Sequence, residues 1–167
     1  MYLEKGQSLN LTSYLLCHAQ ASARAFVRGS DSYPAIDGVV SFYEIGRGII
    51  VSAEFRGLPK GDPKCPETVF GFHIHSGTSC TGNAEDPFAD ADGHYNPNQC
   101  PHPAHAGDLP PLFGSDGQAW IAFYTNRFVL SEILGKTIIV HNKPDDFTSQ
   151  PAGNSGEKIA CGLIEAI

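Results

Sequence analysis

Two histidines alternate with apolar residues in the run Phe72-His73-Ile74-His75. Successive side chains of a strand point to opposite faces, so His73 and His75 share one face while Phe72 and Ile74 occupy the other. Two imidazoles held side by side on a rigid strand can chelate a metal ion. For an isolated pair of this kind, the alternative is an ordinary solvated strand face.

Further potential metal ligands lie downstream of this pair. His94 begins a His-Tyr-Asn-Pro segment, and His102, His105 and Asp108 lie within His-Pro-Ala-His-Ala-Gly-Asp-Leu. Three imidazoles and one carboxylate suit tetrahedral zinc, and a closed four-ligand site can order a loop that has no core of its own. His141 ends an apolar run and can complete a second site. This clustering predicts metal binding rather than a merely polar surface.

The elements that must position these side chains are short strands, about eight in all, separated by Gly- and Pro-containing turns, which is typical of an all-β sandwich or barrel. The predicted strands cover 21–28, 38–45, 49–55, 68–75, 118–124, 136–141 and 158–164. A short helical turn is expected at 129–134. The segment 76–116 lacks periodicity, and a loop of this length is expected to be functional or held by a ligand.

Length and charge exclude several classes of protein. A chain of 167 residues forms one sizeable domain. Asp+Glu 18 against Lys+Arg 11 gives a net charge of −7, which argues against nucleic acid as a partner. No stretch approaches the ~20 apolar residues that a membrane span needs, so no membrane partner is predicted.

The cysteines and the N-terminus bear on the compartment. The cysteines, which form no CxxC pair, are Cys17, Cys65, Cys80, Cys100 and Cys161. The odd count permits at most two internal disulfides. Residues 1–20 have the composition of a tail, and His18 has no predicted role. Ala21-Ser22-Ala23 resembles a signal-peptidase site, but the apolar stretch before it is short and interrupted. The default expectation is therefore cytoplasmic, with a periplasmic or secreted location left open.

Several motifs occur together and in order: Gly71-Phe72-His73-Ile74-His75, Gly93-His94-Tyr95-Asn96-Pro97, His105-Ala106-Gly107-Asp108-Leu109, Val140-His141, and Gly153-Asn154-Ser155-Gly156 before Ala160-Cys161-Gly162. On these motifs the sequence resembles the copper/zinc superoxide dismutase family, bacterial branch, over residues 21–165. The resemblance implies a Greek-key β-sandwich or barrel, immunoglobulin-like, with long metal-binding loops. The predicted organisation is a tail at 1–20 and one dismutase-like domain at 21–167.

The resemblance also implies a ligand set for two metals. The implied copper ligands are His73, His75, His94 and His141. The implied zinc ligands are His94, His102, His105 and Asp108. In this assignment His94 is the catalytic histidine, because it bridges the two metals and exchanges a proton when its bond to copper breaks.

Residues around the ligands also match the family. Asp145 matches the carboxylate that links a copper-ligand histidine to a zinc-ligand histidine and fixes their ring orientation. Cys80 and Cys161 match the intramolecular disulfide. Lys158 stands where the family has an arginine beside copper, so it keeps the charge but loses the fork of donors. Activity is expected to be retained but lower than with arginine. Lys143 is interpreted as a solvated surface lysine rather than a second charge at the rim.

The function implied by the resemblance is disproportionation of superoxide to oxygen and hydrogen peroxide by Cu(II)/Cu(I) cycling. Since the protein is acidic and the substrate is an anion, the attraction must be local to the copper site. The alternative is a dismutase-like zinc-structural or copper-carrying protein with little or no activity, because Lys158 replaces the arginine. The expected assembly is a monomer or a homodimer. A second disulfide between Cys65 and Cys100 is predicted conditionally, against two free thiols.

Overall fold

The computed structural model describes residues 20–167, so the predicted tail, with Cys17 and His18, lies outside the described residues except for Gln20. The elements, in chain order, are β1 (Ala23–Gly29), β2 (Asp37–Ile45), β3 (Gly48–Arg56), β4 (Thr68–Phe70), β5 (Phe72–His75), a 3-10 turn (Ala89–Ala91), β6 (Leu112–Gly114), β7 (Gln118–Thr125), α1 (Leu130–Ile133), β8 (Thr137–His141) and β9 (Lys158–Ala166). Among these residues, no helix is long and apolar enough to cross a membrane.

Seven of the strands form one antiparallel sheet in the order β5-β8-β9-β1-β2-β3-β7, and β4 pairs with β6 in a second, two-stranded sheet. The large sheet curls into a half-barrel. Strands far apart in the sequence are neighbours, such as β1 with β9 and β3 with β7, as in Greek-key proteins. The prediction of an all-β fold is confirmed.

The core follows from the alternation of side chains along the strands. In β1, Ala23, Ala25 and Val27 are fully buried while the residues between them are exposed. Phe42 of β2 and Phe55 of β3 fill the interior with the aromatic and branched side chains of the other strands. The hydrophobic effect therefore stabilises a rigid sheet on whose edge the histidine-bearing strand lies.

Two predicted elements differ from the observed ones. The single strand expected at 68–75 divides at Gly71, because β4 pairs with β6 while β5 pairs with β8. At the switch, the Gly71 N–H donates to the carbonyl of Lys143 (2.7 Å) and its carbonyl accepts from the N–H of His141 (2.8 Å). Within the stretch expected to lack structure, the structure contains the three-residue strand β6, which is too short for a periodic pattern to reveal.

The outer edge of β5 anchors the long loop. The Ile74 N–H donates to the carbonyl of Gly107 (2.9 Å), and the Ile74 carbonyl accepts from the N–H of Tyr95 (2.8 Å). Gly107 must be glycine here, because a Cβ would lie 2.3 Å from the Ile74 carbonyl oxygen. Backbone pairing thus brings the loop segments that carry His94 and Asp108 beside the histidines of β5.

We predict that Gly107→Ala lowers the free energy of unfolding of the metal-free protein by about 1–3 kcal/mol, because the added methyl must push the loop segment at Gly107 away from β5. The matched control is Gly93→Ala, since a Cβ at Gly93 meets nothing within 4 Å. Urea unfolding of both variants measures the difference. Equal stability of the two variants would contradict the anchoring role of Gly107.

Candidate metal centre

Two clusters of potential metal ligands meet at His94. Within each cluster, one nitrogen or oxygen atom per residue lies within 4.8 Å of the corresponding atoms of the others. The first cluster consists of His73, His75, His94 and His141. The second cluster consists of His94, His102, His105 and Asp108. The structure therefore brings together every residue that was predicted from the sequence as a copper or zinc ligand.

The first cluster is built on two paired strands. His73 and His75 lie on β5, and His141 ends β8 at a register shift opposite Lys158. Phe72 and Ile74 enter the hydrophobic core on the other face, as the alternation predicts. The Nε2 atoms of His75 and His141 are 3.3 Å apart, so these two rings converge on one point.

Burial favours the neutral form of three rings of the first cluster, those of His73, His75 and His141. Desolvation, together with the charges of neighbouring histidines, lowers the pKa of His75 well below its ordinary value and that of His141 to about 3. Desolvation also lowers the pKa of His73, although hydrogen bonding to Asp145 opposes the shift. A neutral imidazole offers a lone pair, so these rings are available as ligands at neutral pH.

The second cluster is arranged around the Asp108 carboxylate. Its Oδ1 is 2.7 Å from His94 Nδ1 and 3.2 Å from His105 Nδ1, and its Oδ2 is 3.1 Å from His102 Nδ1. Burial alone raises the pKa of Asp108, but the hydrogen bond with His94 and the three nearby imidazoles outweigh it and lower the pKa. The carboxylate is thus anionic, and the cluster presents three nitrogens and one oxygen.

Several buried ring nitrogens make no hydrogen bond to any part of the chain that the structure describes. They are His73 Nδ1, His94 Nε2, His102 Nδ1 and His105 Nδ1. The last two lie near Asp108 without hydrogen-bond alignment, so their proximity does not satisfy them. Unpaired buried polar atoms are costly, and coordination to a metal ion removes that cost. The donor sets fit their metals: four imidazoles suit copper, and three imidazoles with a carboxylate suit zinc.

His94 faces both clusters with one ring. Its Nδ1 lies 2.7 Å from Asp108 Oδ1, and its Nε2 has no hydrogen-bond partner among the described residues. Its ring lies beside those of His73 (centroids 4.0 Å apart) and His75 (5.0 Å). A ring with one nitrogen for each cluster is the arrangement needed to bridge two metal ions.

Asp145 connects the clusters behind their ligands. Its Oδ2 accepts from His73 Nε2 at 2.8 Å, and its Oδ1 accepts from His102 Nε2 at 2.9 Å. Each contact fixes a proton on Nε2 and leaves Nδ1 free as the ligand atom. Gly153, at φ +66°, allows this packing, because a Cβ there would lie 2.1 Å from Asp145 Oδ1.

Backbone carbonyls orient the remaining two rings of the first cluster. The Nδ1 of His75 donates to the carbonyl of Asp92 (2.7 Å), and the Nδ1 of His141 donates to the carbonyl of Gly156 (3.2 Å). Sequence reasoning missed both contacts, and no signal could reveal them, because every residue carries a carbonyl.

Two further side chains hold the loop that bears the second cluster. Arg127 Nη1 donates to the carbonyls of Pro103, His105 and Asp108 at 3.3, 3.2 and 3.1 Å. Gln150 exchanges two hydrogen bonds with the backbone of His102, at 3.0 and 2.7 Å. Sequence reasoning missed both residues, which belong to none of the ligand motifs.

Of the two disulfides predicted from the sequence, one is present in the structure. Cys80 and Cys161 form a disulfide with Cα atoms 5.6 Å apart, which ties the long loop to β9. The conditional second disulfide is not formed, and Cys65 and Cys100 are free thiols. The reason is local: Cys65 lies in a turn closed on Asp62, and the backbone of Cys100 is held by the side chain of Asn96.

Lys158 lies beside His141 across the β8–β9 pair, but its charge is not free. Its Nζ donates to Asp86 Oδ2 at 2.7 Å and to the Phe88 carbonyl at 3.0 Å. The sequence predicted the position of this cation beside the cluster and missed its acidic partner. Lys143 is exposed, as expected of a solvated lysine.

Comparisons with known proteins agree with this geometry. The family model described as copper/zinc superoxide dismutase (SODC) matches residues 36–164. The superoxide dismutase [Cu-Zn] of Deinococcus radiodurans is 33% identical over 155 residues, covering 82% of this chain and 81% of the relative. That of Escherichia coli K12 is 35% identical over 142 residues, covering 77% and 78%. The structure of Cu/Zn superoxide dismutase from Brucella abortus matches with a TM-score of 0.71 at 28% identity, covering 86% of this chain and 99% of that chain.

We predict that Arg127→Met accelerates zinc release about 10-fold, because loss of a residue that orients ligands typically weakens metal binding 10- to 100-fold. Transfer of zinc to a chromophoric chelator measures the rate. Arg47→Met, at an exposed position in the β2–β3 turn, is the control and should release zinc as the unaltered protein does. Equal rates for both variants would show that Arg127 does not support the loop.

We also predict that the metal-free protein loses stability as the pH falls below about 6.5. The pKa values of His73, His75 and His141 are lower in the folded state, so the unfolded chain binds more protons in this range. Each residue contributes a slope of up to about 1.4 kcal/mol per pH unit. Urea unfolding between about pH 7.5 and 4.5 tests this, and His141→Ala should flatten the slope. Stability that stays constant or rises toward acid contradicts the prediction.

Proposed function

The chain belongs to the copper/zinc superoxide dismutase family, and we propose that its two clusters divide the metals between them. The proposed copper ligands are His73, His75, His94 and His141. The proposed zinc ligands are His94, His102, His105 and Asp108. The observation that supports this division most directly is that the two nitrogens of His94 face different clusters.

The protein is an oxidoreductase that acts on superoxide and uses copper and zinc. Two superoxide anions and two protons become one oxygen and one hydrogen peroxide. Copper, when bound, supplies the one-electron Cu(II)/Cu(I) couple, whereas zinc has no redox chemistry. The alternative of a metal-binding relative without activity is not favoured, since every ligand position is filled.

The protein's own groups prepare the site before any substrate arrives. Asp145 and the carbonyls of Asp92 and Gly156 each hold a ring proton away from the first cluster, so the opposite nitrogens stay directed inward. His94 Nε2 is buried and has no hydrogen-bond partner among the described residues. A proton can therefore be held at His94 Nε2 and passed on, while Nδ1 remains directed to Asp108.

A cleft of about 390 Å³ reaches the first cluster at His141, and we propose it as a path for the substrate. Its wall includes His141 together with the uncharged residues Gln150, Asn154 and Ser155. Neutral hydrogen-bonding walls admit a small anion without repelling it. Lys158 provides a positive charge next to His141, although it is shared with Asp86.

The proposal extends to the oligomeric state of the protein and its cellular location. The chain acts as a monomer or a homodimer, and sedimentation velocity distinguishes the two states. Two exposed aromatic side chains, Phe113 on β6 (72% exposed) and Trp120 on β7 (54% exposed), offer apolar surface that a second copy could cover. The proposed location is the cytoplasm by default, with a periplasmic or secreted location left open.

We predict that His141→Ala abolishes superoxide consumption while leaving the fold intact, because it removes one ligand of the first cluster only. His105→Ala should instead weaken zinc retention first and retain copper. Both variants are reconstituted with copper and zinc, assayed by pulse radiolysis and analysed for metal content. Equal effects on both metals would contradict the division, and an unaltered protein no faster than free copper would contradict the function.

A further inference from the structure

The partner of Lys158 is a carboxylate on the disulfide-bonded loop. Asp86 lies 72 residues before Lys158, and its Oδ2 is 2.7 Å from Nζ. The Lys158 side chain is only 15% exposed and that of Asp86 is 39% exposed, so the contact is shielded from solvent on the lysine's side. The Phe88 carbonyl accepts a second hydrogen bond from Nζ at 3.0 Å.

Asp86 is itself held in place, which distinguishes it from a mobile surface acid. Its Oδ1 accepts from the Phe88 N–H (3.0 Å), leaving Oδ2 for Lys158. Its own N–H donates to the side-chain oxygen of Asn83 (2.9 Å). Hydrogen bonds thus hold both the backbone N–H and the side chain of Asp86.

The disulfide connects the same two segments as the ion pair. Cys80 precedes Asp86 in the loop, and Cys161 follows Lys158 on β9. Phe88, whose carbonyl accepts from Lys158, packs with the disulfide and Ile139 in a small apolar cluster. The loop therefore cannot drift away from the lysine without disturbing this cluster.

The electrostatic consequence is local. Superoxide must approach His141 in a protein of net charge −7, and Lys158 is the cation paired with that residue across the sheet. The ammonium and the Asp86 carboxylate form a compact dipole, whose field falls off faster than that of an uncompensated cation. Because the lysine side of the pair is shielded from solvent, water and salt screen the effect of Asp86 on the field of Lys158 less than they would screen a fully exposed pair.

We propose that Asp86 is a positioning residue that holds Lys158 and sets how strongly the site attracts small anions. The inference rests on the proposed copper site only for its anion readout. Removing the Asp86 charge should strengthen anion binding, and removing its side chain should release the lysine.

The first experiment needs no metal. Amine labelling of the full metal-free chain, followed by mass spectrometry of the peptide that contains Lys158, measures how accessible Nζ is. Asp86→Ala should raise the labelling rate of Lys158 several-fold, whereas Glu85→Ala, one residue away on an exposed side chain without contact to Lys158 in the described hydrogen-bond network, should not. An equal rate in both variants overturns the positioning role.

The second experiment uses azide as the anion, titrated into the Cu(II) protein and followed by visible absorption. Asp86→Asn keeps an oxygen acceptor for Lys158 but removes the charge, so azide should bind roughly 3- to 10-fold more tightly at low ionic strength, with the gain fading in salt. Glu85→Gln removes the same charge nearby and should have a smaller effect. The gain should disappear when Lys158→Gln is added to Asp86→Asn.

The outcomes separate this inference from the proposed function. If copper binds and superoxide is consumed, but azide affinity is the same in Asp86→Asn and Glu85→Gln, the inference is wrong and the function stands. If copper does not bind at the first cluster, the proposed metal assignment fails, and the labelling of Lys158 still decides whether Asp86 positions it.

Discussion

Four imidazole nitrogens are buried at the metal centre without a hydrogen-bond partner among the residues that the structure describes. His73 Nδ1 and His94 Nε2 on one side, and His102 Nδ1 and His105 Nδ1 on the other, are all of this kind. Burying such atoms costs free energy in the metal-free protein, and metal ions recover it. Folding energy from the β-sheet core is therefore what keeps a costly arrangement in place until the metals bind.

Four of the six rings are oriented through the nitrogen that does not face a metal cluster. Asp145 fixes two rings, one in each cluster, so the positions of the two metals are coupled through a single carboxylate. The carbonyls of Asp92 and Gly156 fix His75 and His141. A side-chain carboxylate therefore orients His73 and His102, whereas backbone carbonyls orient His75 and His141. Because these orienting groups lie on loops, a change in loop conformation changes the orientation of the ligand rings.

The metal ligands and most of the strands were predictable from the sequence, whereas contacts between residues far apart in the chain were not. Alternation identified β2 and β3, and ordered motifs identified the ligands, because both signals are local. The division at Gly71 was not predictable, since it arises where the chain passes from one sheet to the other. The contacts of Arg127 with loop carbonyls and of Asp86 with Lys158 join residues far apart in the chain, and neither leaves a local pattern. The free state of Cys65 and Cys100 likewise depends on where two separate turns lie.

We propose that His94 joins two different metal ions through its two ring nitrogens. Crystals of the copper- and zinc-reconstituted protein, with anomalous diffraction recorded at the absorption edges of both metals, test it directly. We expect a copper peak beside Nε2, among His73, His75 and His141, and a zinc peak beside Nδ1, among His102, His105 and Asp108. A single peak, or both metals on the same side of His94, would contradict it.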